Sequence, residues 1–205
     1  MGIDINEMLE KARNLKVQKQ LKQDEFVLTE NKLSIAQTEL ENCQKARIIV
    51  QEVANKTQEK IEFQISNLVS LALSAVFPDP YEFKVKFVQR RNRTECDLLF
   101  VKNNEEVEPL SAAGGGAVDI ASFALRVAIW SIKKTRPVFI FDEPGKFLSR
   151  DLQNKFSALI KELSYRLQVQ FIIVSHIPEI QSCSDRVFSC VNKNGISFVE
   201  SVDSL

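Results

Sequence analysis

From Ile3 to Phe77 the sequence contains neither Gly nor Pro, and Glu, Lys, Gln, Leu and Ala dominate it. Such a stretch carries no local signal to stop a helix, and at ~1.5 Å per residue an unbroken helix of this length would reach roughly 110 Å. Apolar residues recur at three- and four-residue steps: Met8, Ala12 and Leu15; Leu33, Ala36 and Leu40; then Val50, Ala54, Ile61, Ile65, Leu68 and Ala72. The stripe is thin before about Asn55 and wide from Ile61 to Val76. A thin stripe on a polar helix is the pattern of a two-stranded coiled coil, whereas the wider face should pack on a globular body. So long a helix cannot bury its stripe alone. It asks for an antiparallel coiled-coil partner, or for a turn back on itself at Asp24-Glu25 or Thr29-Glu30-Asn31. A free-standing helical hairpin is the plainer reading of the same pattern. Pro78-Asp79-Pro80 ends the helix, since proline cannot continue it and pushes the preceding residue to extended geometry. Residues 1–77 are therefore expected to form a long helix whose end packs on a head, and residues 78–205 the α/β head itself.

Within the head a single run stands out, Arg136-Pro-Val-Phe-Ile-Phe-Asp-Glu-Pro-Gly145. Val138 to Phe141 are β-branched or aromatic without polar alternation, which predicts a strand buried on both faces of a parallel sheet. Asp142 and Glu143 then sit at its C-terminal edge, where ligands bind in open α/β sheets. A pair of acids there suits a metal-bound phosphate and a water to be activated; a strand ending in a solvated acidic turn fits the run equally well. Upstream, Gly114-Gly115-Gly116 opens a helical stretch from Ala117 to Lys134. Consecutive glycines allow close backbone approach and positive φ, and a helix starting there aims free N–H groups and its positive end at an anion. Taken alone, a glycine run is more often a flexible loop. Downstream come Leu148-Ser149, a helix over Arg150 to Leu167, an apolar strand over Val169 to Ser175, and His176, the single histidine of the chain. A histidine at a strand end is commonly no more than a hydrogen-bonded cap.

Tyr81 to Gln89 alternates Tyr81, Phe83, Val85 and Phe87 with Glu82, Lys84 and Lys86, and Glu95 to Lys102 is its expected hairpin partner. The tip carries Arg90, Arg91 and Arg93, which with Lys84 and Lys86 form a basic patch able to contact DNA phosphates, although such tips are more often just solvated. Asn103 to Pro109 reads as an acidic connector, and Arg186 to Val191 with Ile196 to Val199 as a closing hairpin around Asn192-Lys-Asn-Gly195.

Composition excludes several classes. Lys plus Arg equals Asp plus Glu, so no global charge announces a nucleic-acid or membrane partner. Cys43, Cys96, Cys183 and Cys190 form no Cys-x-x-Cys pair, which points to a reducing interior. Asp4, Asn6, Glu7 and Glu10 interrupt any signal-peptide core, and Met1-Gly2 lacks the Ser or Thr at position 6 that a myristoylation motif requires. The apolar window Ile65 to Phe77 is shorter than the ~18 residues of a membrane span. A cytoplasmic protein with no membrane partner is expected.

In order, the glycine run, the helix bearing Phe123-Ala-Leu-Arg-Val-Ala128, the Asp142-Glu143 strand, Leu148-Ser149 and His176 resemble the signature motif, Walker B strand, D-loop and switch histidine of the C-terminal lobe of an ABC-type ATPase head. With a coiled-coil-like helix before the lobe, the chain looks most like the SMC and RecN/RecF-type DNA-repair and recombination ATPases. The resemblance covers Tyr81 to Leu205 by motif and the helix by pattern. It departs at Gly114, where the family has Ser, at Ala117, where it has Gln or Glu, and at Ser149, where it has Asp. A P-loop, Gly-x-x-x-x-Gly-Lys-Ser/Thr, is absent: only Gly145 is followed by Lys, with Ile140 five residues before it and Phe147 after that Lys.

The resemblance implies a mostly parallel sheet flanked by helices. It implies that Asp142 holds Mg²⁺ through water, Glu143 orients the attacking water and His176 contacts the γ-phosphate. Gly114, Gly115 and Gly116 would close on ATP held by an opposing head, with Ser149 at that interface. ATP hydrolysis would then need a P-loop-bearing half or second head, and DNA and a nuclease subunit are further implied partners. A nucleotide-free scaffold working through its coiled coil is the rival reading, favoured by the missing P-loop and the altered signature.

Overall fold

A computed structural model describes residues 5–91 and 93–202; the Met1-Gly2 start lies outside the described residues. The chain divides into two compact units, Met1–Thr57 and Gln58–Leu205. Helix α1 (Ile5–Val76) contains no break at either place where a turn was expected. The residues there satisfy themselves within the helix. Gln20 donates to the Asp24 carboxylate at 3.0 Å, Lys22 pairs with Glu25 at 2.8 Å, and the Thr29 hydroxyl donates to the Glu25 carbonyl at 2.7 Å. Without Gly or Pro, nothing in the sequence forces the chain out of helix. In the first unit the described side chains are exposed, the apolar stripe included.

In the second unit the end of α1 buries Ile65, Val69, Ala72, Leu73 and Val76, the wide face expected from the spacing. An antiparallel sheet follows, β1 (Glu82–Arg90), β2 (Arg93–Lys102) and β3 (Glu105–Val107), in that order. Strand β3 forms where an unstructured connector was expected. Asn103 and Asn104 both adopt positive φ, 53° and 65°, which makes a two-residue hairpin turn and seats Val107 opposite Phe100. The outer edge of β1 is closed by a helix instead of a strand. The amides of Phe83 and Val85 donate to the hydroxyls of Ser70 and Ser66 at 2.8 and 2.9 Å, and that of Phe87 donates to the Glu62 carboxylate. Acceptors four residues apart on α1 thus meet amides two residues apart on the strand.

The rest of the unit comprises α2 (Pro109–Ala112), α3 (Gly115–Ile132), β4 (Val138–Asp142), α4 (Arg150–Leu167), β5 (Gln170–Val174), α5 (Pro178–Cys183), β6 (Val187–Lys193) and β7 (Ile196–Val202). Strands β4 and β5 are parallel, joined by α4, with Ile140 opposite Ile172 and Asp142 opposite Val174. The other strands pair antiparallel, β6 with β7 in the expected closing hairpin. By length and composition α3, and not the window Ile65 to Phe77, is the helix among the described residues that is apolar enough to cross a membrane. Its apolar side chains instead make the core. Ile120, Phe123, Ala124, Val127 and Ala128 are buried, and the Phe123 ring lies 4.7, 5.1 and 5.7 Å from those of Phe141, Phe156 and Phe171.

The expectation that β4 is buried on both faces is not met. Phe139, Phe141, Phe171 and Ile173 join the core, but the opposite face leaves Val138, Ile140, Ile172 and Val174 exposed to 43%, 71%, 45% and 60%. The cause is that β4 and β5 pair only with each other among the described residues, and nothing in this unit covers their second face.

Candidate active site

The parallel register decides what meets at the sheet edge. Asp142 pairs with Val174, so Glu143 and His176 follow at the ends of adjacent strands. The Glu143 amide donates to the Val174 carbonyl at 2.8 Å, one bond beyond the ladder, and its φ of 46° turns the chain sharply out of the sheet. That conformation is uncommon for a residue with a side chain and gathers at functional sites. It brings the Glu143 carboxylate within 2.8 Å of His176 Nδ1. Both side chains remain reachable by solvent, as does Asp142.

Asp142 has no hydrogen-bond or ion-pair partner among the described residues, and no group of three metal-ligating side chains is gathered among them. That donor set is too poor for an all-protein cage. It fits Mg²⁺, which keeps several waters and takes one or two carboxylates together with substrate phosphates. On β4, Asp142 alternates with Ile140 and Val138, so it belongs to the same uncovered face.

The glycine run does not touch the acids. Gly114 is the N-cap of α3, with open space where a side chain would be, while Gly115 and Gly116 pack against the turn that follows Glu143. A Cβ on Gly115 would lie 3.3 Å from Phe147 Cγ, and one on Gly116 would lie 3.0 Å from Leu148 Cδ2 and 3.1 Å from the Phe147 carbonyl oxygen. Close packing thus accounts for two of the three glycines. The third, with the free amides of the first helical turn, faces outward. Ser149 is the exposed N-cap of α4, where its carbonyl accepts from the amides of Leu152 and Gln153 at 3.0 and 2.9 Å.

Three residues of this region were not singled out from the sequence. Asp119 on α3 accepts the Gly145 amide at 2.8 Å. Burial pushes its carboxyl above the usual carboxylate range, offset to some extent by the amides of Gly145, Phe147 and Lys146. The signal was an acid in an otherwise apolar helix. Arg150 donates from Nε to the nearly buried Glu179 carboxylate at 2.7 Å, tying the start of α4 to α5 and holding Glu179 below the usual range. The signal there was an arginine in the first turn of a helix, where the dipole disfavours a cation.

The basic hairpin tip lies on the other sheet. The Arg90 guanidinium makes paired 2.7 Å bonds to both carboxylate oxygens of Asp97 and reaches Glu95 at 3.3 Å. Lys84 and Lys86 share Glu106 at 3.1 and 2.6 Å. Arg91 and Arg93 have no acidic partner among the described residues.

No family model matches the sequence. Over 122 residues, 59% of the chain, it is 27% identical to a DNA double-strand break repair Rad50 ATPase of Archaeoglobus fulgidus; over 99 residues, 45% of the chain, it is 32% identical to one of Thermoplasma volcanium. The fold is similar to that of an Smc head domain with an extended coiled coil, derived from Pyrococcus furiosus and solved bound to the C-terminal domain of ScpA. The TM-score is 0.57 at 19% identity, covering 97% of this chain and 52% of that one. The chain has the fold of an SMC-type head lobe with coiled coil and is similar in sequence to Rad50 ATPases. The lobe spans 14% and 11% of the length of the two Rad50 relatives.

Proposed function

We propose that this SMC/Rad50-type lobe hydrolyses ATP once joined to a P-loop-bearing half, acting in DNA repair, recombination or chromosome maintenance in the cytoplasm. The observation that carries the reading is the meeting of Glu143 and His176 at 2.8 Å beside the unpaired Asp142. Glu143 polarises the attacking water, with His176 steadying its carboxylate and facing the γ-phosphate. Asp142 would hold Mg²⁺, and the ion would supply charge neutralisation for the phosphates. The uncovered face of β4 and β5 supports the need for a second half. Burying Val138, Ile140, Ile172 and Val174 would stabilise association by roughly 3–7 kcal/mol. Asp142 shares that face, so a nucleotide held by the covering half would lie beside the acid. Gly114 and Ser149 would meet the nucleotide of an opposing head, and a second helix would cover the stripe of α1. Arg91 and Arg93 are the candidates for DNA phosphates, and a nuclease subunit is a further partner in this reading. A nucleotide-free scaffold remains the rival, favoured by the packing that accounts for Gly115 and Gly116 without any phosphate.

The test is Glu143→Gln in complex with a P-loop-bearing half. Mg-ATP should bind and hold the heads closed, because the change removes the water-orienting carboxylate and leaves binding intact. Calorimetric titration of the chain alone with Mg-ATP should give no saturable heat below millimolar concentration. Tight binding without the partner, or wild-type turnover in the variant, would overturn the assignment.

A further inference from the structure

Asp119 stands in the second turn of α3, the core helix, among buried neighbours Ala117, Ile120 and Ala121. No lysine or arginine forms an ion pair with it among the described residues, although the Lys146 charge acts on it, and its hydrogen-bond partner is the Gly145 amide. Oδ2 accepts from the Gly145 amide at 2.8 Å, the first peptide N–H after Pro144. One stripe of α3 therefore grips the turn: Gly115 and Gly116 lie against Phe147 and Leu148, Asp119 takes the Gly145 amide, and Phe123, four residues on, locks the stripe into the aromatic core. A carboxylate is better suited than any neutral side chain to hold an N–H group, since charge-assisted bonds are the stronger ones.

The turn that Asp119 holds begins at Glu143. Upstream, Glu143 is pinned by its own amide to Val174; two residues downstream, Gly145 is pinned to Asp119. Between these anchors the residue sits at φ 46°, a conformation that persists only where its surroundings impose it. Released at the downstream anchor, the chain would relax toward ordinary φ and carry the carboxylate away from His176.

We propose that Asp119 is a positioning residue for hydrolysis: by holding the Gly145 amide at the glycine-led start of α3, it fixes the Glu143 carboxylate at His176. The assignment rests on the water-orienting role of Glu143 given above. It also makes the glycine run and Glu143 parts of a single rigid piece, so that a nucleotide pressing on Gly114 from an opposing head is felt at this head's own acid.

Two measurements test it on Asp119→Ala and Asp119→Asn. In the full chain, hydrogen exchange at Gly145, Lys146 and Phe147 should quicken about 10- to 100-fold in the Ala variant and less in the Asn variant, which keeps one acceptor oxygen. Exchange at Ala124 to Ala128 of α3 should stay unchanged. In the complex with a P-loop-bearing half, kcat should fall about 100-fold for Ala, as for a catalytic group displaced by about 1 Å, with KM within about threefold and Asn recovering some of the loss. A merely structural role would lower the melting temperature of both variants and leave kcat per folded molecule where it was. Unchanged exchange at 145–147, or kcat within about threefold of wild type in the folded Ala variant, overturns the proposal. A wild-type complex that never turns over ATP overturns the reading of Glu143 and this role with it, and the exchange rates then report only the anchored turn.

Discussion

Gly145→Ala is the substitution whose cost the geometry fixes most tightly. Gly145 is buried at φ 81°, and a Cβ there would stand 2.7 Å from Phe156 Cδ1, 2.9 Å from Phe156 Cε1 and 3.4 Å from Leu148 Cδ1. Phe156 has no room to yield, being fully buried and edge-on to Phe123 at 5.1 Å. Left-handed backbone costs a residue with a side chain about 1–2 kcal/mol, and overpacking a closed core adds about 1–3. The expected loss is therefore about 2–5 kcal/mol. Urea unfolding followed by the fluorescence of Trp130, the single tryptophan, reads the right region, because its indole packs on Phe139 at 5.8 Å. The midpoint should fall by roughly 1–2 M with an unchanged slope. Gly115→Ala is the control. Its φ is helical, and its nearest neighbour is the exposed Phe147 ring at 3.3 Å, so a shift under about 1 kcal/mol is expected. If Gly145→Ala also stayed within about 0.5 kcal/mol of wild type, the turn after Glu143 would not be seated on Phe156 and the argument for its rigidity would fail.

Replacing Arg91 and Arg93 together by Ala should weaken DNA binding about equally for every sequence and reduce the log–log salt slope by roughly one unit per lost contact. Arg90→Ala should change that slope less, because Asp97 and Glu95 already take its charge, and an unaltered slope in the double variant would leave the tip a solvated hairpin. Gly114→Ser should raise stability in urea unfolding by a few tenths of a kcal/mol, since the N-cap has open space and a hydroxyl there can take an orphan amide. In the complex with the P-loop half the same change should lower the ATP concentration needed to close the heads; a gain in neither measurement would show that the hydroxyl finds no partner at this cap.

Much of the second unit was legible because its periodicities are strong. The helix over Arg150 to Leu167 has the bounds its apolar spacing predicted, and the two apolar runs that end at Asp142 and before His176 do form strands, which pair in parallel. What escaped was information that sequence spacing does not hold. Val138 and Ile140 look like core, since an apolar run does not record whether the residues around it cover both of its faces. Asn103-Asn104 was read for polarity when its tolerance of positive φ was the decisive property. Asp119 leaves no mark in the sequence because its partner is a backbone amide, which no residue pattern advertises.

The ladder from Glu62, Ser66 and Ser70 to the amides of β1 works as a vernier. Four helical residues advance about 6.0 Å and two strand residues about 6.7 Å, so the two scales drift apart by roughly 0.7 Å at each rung. Two short hydroxyls serve the first rungs, and the longer Glu62 side chain spans the accumulated offset at the third. A one-residue rotation of this segment of α1 would set Phe63, Asn67 and Leu71 against the strand, leaving a single polar group for three amides. The end of α1 can therefore not creep: it is held at one angular setting, and any twist reaching it is either resisted by all three rungs together or releases them as a set.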